Sequence, residues 1–447
     1  MPDRAPGGSL TSQELTNKLS FPRPIRRTCA TLGGVVCVFA TLSSSALADN
    51  SLNSSEKARP VSTATEAPRA HTDFTIVPVV GGSTDIGIGG GFFAGLTRNK
   101  IGHDPYVWNL EAAGFVSFAL TNGRPNLPYI DGYSKLTITR FAGSPHQIEI
   151  RPSFTDEETL YYFGMGNASA ARPPAEKSLT YFQYARIHPS LVADLILKIA
   201  DHWAARTGIR FTETWLNIPV NSKLASDFRD GNPEVKALIG ETGTQSVLLF
   251  RYGLRFDNRD NEVTPHKGTI DEIEFKWSPG GTAALPFRYG EASVNLRGYV
   301  PLFSPRLTLA ARIVGDVLFG DPPFYELSRF EDTYAVGGAS GVRGVPAQRY
   351  YGKVKVFGNA EVRARLWDFS LFGKPMTLGM AAFFDGGRVW ADTSPQPELD
   401  GTGLGLKYGV GGGLRLMSGT AFVLRGDVAW SPDALPIGGY LAAGEIF

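Results

Sequence analysis

Three charged residues stand out for their surroundings: Arg343, Glu361 and Asp385. Arg343 lies in the run Gly337-Gly338-Ala339-Ser340-Gly341-Val342-Arg343-Gly344, which reads as a long glycine-rich loop carrying one guanidinium. Glu361 falls inside Lys353–Trp367, where apolar and polar residues alternate. Asp385 sits in Phe383-Phe384-Asp385-Gly386-Gly387-Arg388-Val389-Trp390, which reads as the end of a strand delivering a carboxylate. The chemistry these types support is ion pairing, since a guanidinium can grip a carboxylate through two parallel N–H bonds and lysine cannot make that fork. A loop arginine reaching carboxylates on the next two strands would lock the loop in place. The competing reading is an ordinary exposed loop arginine.

Other residues that could do chemistry are poorly arranged for it. Gly338-Ala339-Ser340-Gly341 is not a nucleophile elbow, because Val342 stands where the second glycine is needed. The histidines at 71, 103, 146, 188, 202 and 266 show no metal-ligand spacing. Gly87-Ile88-Gly89-Gly90-Gly91 resembles a phosphate loop, but no helical pattern follows it. Asp257-Asn258-Arg259-Asp260-Asn261 reads as a solvated turn whose Asp and Asn side chains hold the backbone, with Arg259 pairing locally to set it. No enzyme activity, metal or cofactor is expected. The net charge of +1 gives no reason to expect nucleic acid.

The elements that would position these residues are strands. In Lys353–Trp367, Val354, Val356, Gly358, Ala360, Val362, Ala364 and Leu366 form one face, and Lys355, Asn359, Glu361, Arg363 and Arg365 the other. Val247–Asp257 sets Leu248, Phe250, Tyr252, Leu254 and Phe256 against Arg251, Arg255 and Asp257; Ala421–Trp430 sets Phe422, Leu424, Val428 and Trp430 against Arg425 and Asp427. Such segments are long enough for a tilted membrane span of ~9–11 residues. About sixteen of them are legible, an even number as closure requires, with short and long connections alternating. The mean hydropathy of −0.09 hides this, because only every second residue of a barrel strand faces lipid. The fold class is therefore an all-β transmembrane antiparallel barrel, and the arginine loop falls between strands 11 and 12, folded into the lumen.

The N-terminus adds an address. Arg23, Arg26 and Arg27 precede an apolar run from Cys29 to Leu42, and Ala46-Leu47-Ala48 is an A-x-A pattern. We expect a signal peptide over 1–48, cleaved after Ala48 on the Sec route, since a barrel precursor must travel unfolded. Its removal takes away Cys29 and Cys37, the two cysteines. Residues 49–72 read as a flexible linker and 73–447 as the barrel, placed in the bacterial outer membrane.

Together these segments resemble the bacterial surface antigen barrels of the BamA/TamA superfamily. Six features carry the resemblance: Tyr162-Phe163-Gly164-Met165-Gly166-Asn167; Phe256-Asp257-Asn258-Arg259-Asp260-Asn261 with Pro265-His266-Lys267-Gly268; Val342-Arg343-Gly344; Gly358-Asn359-Ala360-Glu361-Val362-Arg363; Phe383-Phe384-Asp385-Gly386-Gly387; and the terminal Phe447. The resemblance implies that Arg343 enters the lumen and pairs with Glu361 and Asp385, that Asp257, Arg259 and Asp260 form a periplasmic turn, and that Phe447 is a terminal barrel signal at the membrane boundary. It also implies insertion or translocation of proteins at the outer membrane, with lipid and unfolded outer-membrane or secreted proteins as partners. Three departures count. The 49–72 linker leaves no room for a periplasmic POTRA domain, Val345 stands where an aromatic is usual, and Glu445 stands where an apolar residue is common. A passive channel or structural barrel, or a partner of a separate POTRA-bearing periplasmic protein, is the alternative.

Overall fold

The computed structural model describes residues 70–447, apart from 101–102, 122–123, 170–177, 232, 234, 237–243, 332, 372, 420–421 and 434–436. The expected signal peptide and all but the last residues of the expected linker lie outside the described residues. Strand follows strand from β1 (His71–Ser83), β2 (Gly87–Lys100), β3 (His103–Thr121), β4 (Tyr129–Ile138) and β5 (Gln147–Tyr161). The wall continues through β6 (Gln183–Ile187 with Ser190–Lys198), β7 (Trp203–Asn217), β8 (Thr244–Asp257), β9 (Gly268–Ser278), β10 (Tyr289–Pro301) and β11 (Leu307–Gly320). It ends with β12 (Val354–Leu371), β13 (Lys374–Trp390), β14 (Lys407–Ser418), β15 (Phe422–Trp430) and β16 (Gly438–Ala443). Every neighbour is antiparallel, and β16 returns to β1, closing a sixteen-stranded barrel.

Period-2 alternation explains why these segments span a membrane. Along β12 the inward Lys355, Asn359 and Glu361 are buried, while outward Val356 is 42% exposed. Outward Ile273, Ile313 and Val428 are each about 60% exposed. Charge inside and apolar surface outside is the reverse of a soluble sandwich and suits hydrocarbon as solvent. Among the described residues no helix is long and apolar enough to cross a membrane.

The apolar core lies within the lumen, where the 321–353 loop packs against the wall. Phe324, Tyr325, Leu327 and Tyr351 of the loop join Leu160, Tyr184, Leu249 and Tyr289. A second cluster gathers Val336, Val342, Val345 and Tyr350 against Val314, Phe357 and Val389.

Three local features differ from the sequence reading. β1 begins at His71, slightly ahead of the expected barrel start. The strand alternation breaks at β6, which is entered through a 3-10 turn at Leu179–Phe182 and interrupted at His188-Pro189, since proline has no N–H for the ladder. Phe447 does not continue the wall strand. β16 stops at Ala443, Gly444 adopts φ +85°, and the chain turns across the lumen. There Glu445 accepts from Arg415 Nε at 2.9 Å, and the Phe447 ring lies 6.4 Å from that of Tyr299. The Arg363 guanidinium sits 5.0 Å from the Phe447 ring and donates to its carbonyl at 3.2 Å. An acidic side chain drawn to a luminal arginine overrides strand continuation.

Candidate functional site: a loop latch beside a partly zipped seam

β12 and β13 pair with Asn359 opposite Asp385 and Glu361 opposite Phe383, so the two carboxylates enter the lumen diagonally, on neighbouring strands. On the far side of Asp385 the register partner is Gly409 of β14. A Cβ there would lie 1.8 Å from the Arg343 carbonyl oxygen, so the absence of a side chain opens the trough in which the loop tip lies. Gly344 follows with φ +89°, a left-handed turn that glycine takes without strain. Val342 is fully buried in the adjoining cluster.

In that trough Arg343 is fully buried. Its Nε and Nη2 donate to the two Asp385 oxygens at 2.7 and 3.0 Å, and its backbone N–H donates to Asp385 Oδ2 at 3.1 Å. Nη1 lies 2.6 Å from Glu361 Oε1 as a close charge contact, and donates to Asp427 Oδ2 at 3.0 Å. The guanidinium also stacks 3.4 Å from the centre of the Phe383 ring. Burial opposes the charge on Arg343, but Asp385, Glu361 and Asp427 outweigh it and raise its pKa. The carboxylates are shared outward: Arg363 holds Glu361 at 2.7 Å, and Arg415 and Arg425 hold Asp427 at 2.5 and 3.2 Å. Asp385 is different. Among the described residues its carboxylate accepts hydrogen bonds from Arg343 alone.

The loop is held elsewhere by the opposite polarity. Glu331, at φ +54° between the short strands Arg329–Phe330 and Thr333–Tyr334, reaches Lys276 of β9 and lies 3.6 Å from Arg251 of β8. Burial pushes its carboxyl up, but Lys276 and Arg251 hold it well below the ordinary range. Tyr334 donates to Glu157, which also pairs with Arg186. Asn359 and Arg312 clasp the loop backbone at Gly341 and Ser340. The Tyr162–Asn167 segment packs against it too, with Gly166 N–H donating to the Tyr351 carbonyl at 2.8 Å.

Near the loop tip lies the junction of first and last strands. Gly344 N–H donates to the Tyr440 hydroxyl of β16 at 2.8 Å, and Ala347 N–H donates to Asp85, in the β1–β2 turn, at 3.1 Å. Burial pushes the Asp85 carboxyl up to about 6, and its second oxygen has no hydrogen-bond partner among the described residues. The seam itself is short. β16 pairs with β1 at Gly82–Leu441 and Ser83–Tyr440, extended by a Thr84 N–H to Gly439 carbonyl bond of 3.0 Å. From His71 to Gly81 the same edge of β1 has no strand partner among the described residues.

The structure brings Arg343, Glu361 and Asp385 together and leaves Asp257, Arg259 and Asp260 in a separate turn. There Arg259 forks Asp257 at 3.0 and 2.9 Å. Asp260 accepts from the His266 and Lys267 amides at 2.9 and 3.1 Å. Partial burial raises the Asp260 carboxyl, but these amides bring it below the ordinary value. The sequence reading missed Asp427 as a third partner of Arg343. Its place on the charged face beside Arg425 was visible, but its meeting with a loop 84 residues upstream was not. Nor did it find Glu331, whose partners lie on strands already passed.

Comparison with known proteins agrees with this architecture. BamA from Haemophilus ducreyi lacking POTRA domains 1–3 is similar at 15% identity and TM-score 0.56, covering 84% of this chain and 70% of that one. CdiB from Escherichia coli is matched at 14% identity and TM-score 0.49, covering 85% and 64%. At these identities the BamA likeness speaks for the fold alone. The sequence matches none of the curated proteins with which it was compared. The Omp85 superfamily domain model matches residues 163–434, a span that holds the latch loop and the strands β12 to β15 around its tip, so this outer-membrane β-barrel belongs to the Omp85 superfamily.

Proposed function

We propose that this chain inserts or translocates other proteins at the bacterial outer membrane, by letting an incoming strand add to the open edge of β1. One observation carries the reading: the β1–β16 seam is hydrogen-bonded at one end, and from His71 to Gly81 the seam edge of β1 has no strand partner among the described residues. Within hydrocarbon each unmet backbone group costs several kcal/mol, so this edge seeks a partner strand. Its outward residues Phe74, Ile76 and Val80 are exposed and suited to lipid. The reading needs no cofactor and no catalysis. It takes the outer membrane as the site of action, after Sec export and cleavage behind Ala48, with lipid and unfolded outer-membrane or secreted proteins as partners.

The test is to seal the seam. Ser83→Cys with Tyr440→Cys places two thiols at a directly opposed pair of the existing register. Proteoliposomes holding the oxidised barrel should lose the ability to fold an added unfolded outer-membrane barrel protein, and recover it on reduction. Equal activity sealed and reduced would end the strand-addition reading.

A second reading, a passive small-solute channel, is favoured by a polar cavity of about 870 Å³ between β3 and β10, lined by Glu111, Lys135, Arg206 and Glu274. Loop residues Phe330 and Glu331 also line it. Planar-bilayer conductance that rises when Arg343 is replaced would support this reading.

A further inference from the structure

The open edge of β1 is not uniform. Thr84 N–H donates to the Gly439 carbonyl, so the even-numbered residues of β1 turn their N–H and C=O groups toward the seam. The pairing of β1 with β2 is unbroken from His71↔Asn99 to Ser83↔Gly87, so this parity holds along the whole strand. Thr72, Phe74, Ile76, Val80 and Gly82 therefore offer donors to the edge. Pro78 belongs to the same series and has none. Counting four residues down β1 from Gly82 and four beyond Leu441 puts Glu445 opposite Pro78. The last strand leaves the wall just before that point, at Gly444.

We propose that Pro78 is the register stop of the β1 edge: it confines the seam with β16 to the residues above it and directs an added antiparallel strand to the window His71–Val77 below. The inference rests on the strand-addition reading. The strand that fits this window sets apolar residues beside Phe74 and Ile76 on the lipid side, and small or polar residues beside Asp73 and Thr75 on the lumen side. Asp73 on the lumen side and Thr72 on the lipid side are already tied to Asn99 and Arg98 of β2, which holds the window in place without using its free edge. Without the proline the edge would offer one continuous ladder, and the boundary between seam and entry window would be lost.

Single cysteines at Asp73, Thr75, Val77 and Val79, introduced in the full chain with Cys29 and Cys37 replaced by serine, test this. The probe is a synthetic five-residue peptide, Thr-Val-Cys-Val-Thr, offered to the barrel in nanodiscs; centred opposite residue 73 or 75 it stays clear of Pro78, and centred opposite 77 or 79 it faces it. Disulfide yield at Asp73→Cys and Thr75→Cys should exceed that at Val77→Cys and Val79→Cys by about fivefold, the worth of one net hydrogen bond. In Pro78→Val the profile should flatten, and in Ile76→Pro the drop should extend down to position 75 while sparing 73. A flat profile in the parent chain, or one unchanged by Pro78→Val, would overturn the stop while leaving strand addition standing. Absence of cross-linking at every position in both chains, with the Ser83→Cys/Tyr440→Cys disulfide still forming, would overturn strand addition itself and the stop with it.

Discussion

Replacing Arg343 by alanine should undock the loop, and the structure says where the cost falls. Glu361 keeps Arg363 at 2.7 Å, and Asp427 keeps Arg415 and Arg425 at 2.5 and 3.2 Å. Asp385 keeps only the backbone N–H of residue 343, so one fully buried carboxylate loses its counter-charge. Breaking a buried pair by removing one partner costs ~3–5 kcal/mol. Because two of the three carboxylates retain partners, we expect the lower end, about 3 kcal/mol, or on the order of a hundredfold in the docked-to-undocked ratio. Arg343→Lys should cost about half as much, since an ammonium keeps the charge but loses the fork. The assay is limited proteolysis of the 321–353 loop together with heat-modifiable gel mobility. In an Asp385→Ala background, Arg343→Ala should have little further effect if the pair acts as a unit. An Arg343→Ala barrel with the parent's protease resistance and mobility would refute the latch.

Gly409→Val should undock the loop with Arg343 intact, because its Cβ would meet the Arg343 carbonyl; overpacking of this kind costs ~1–3 kcal/mol, and loop proteolysis should report it. Glu331→Gln should loosen the loop less, by about 1 kcal/mol, because Lys276 keeps Glu291 at 2.8 Å; cleavage confined to the 329–334 region is the expected pattern. Burial raises the Asp85 carboxyl from its ordinary 3.8 to about 6, outweighing the Ala347 N–H bond that lowers it, so burying this side chain beside the loop is favoured at low pH. That contribution should fade as pH rises from about 4 through about 6, and Asp85→Asn should flatten the pH profile of loop proteolysis across that window.

Alternation made most of the barrel legible, because a luminal face must carry polar groups where the lipid face cannot. The charged face of Lys353–Trp367 therefore located Glu361 before any contact was known. Asp427 lay on an equally legible face, but luminal partners meet across a closed wall and sequence distance does not record that. The inward turn of the C-terminus was not legible for a related reason. Glu445 was noted as unusual, and only the closed barrel brings it to Arg415. The extent of the seam was not legible, because it depends on a register that no local pattern fixes.

The loop tip touches both sides of the seam, through Tyr440 on β16 and Asp85 in the β1–β2 turn. Seam and latch are therefore thermodynamically linked. A strand that parts β1 from β16 must shift at least one of these contacts and so lowers the stability of the docked loop. By reciprocity, whatever tightens the loop raises the work of parting the strands by the same amount. A ligand of the loop's outer surface would then regulate traffic through the wall without approaching the edge where pairing occurs.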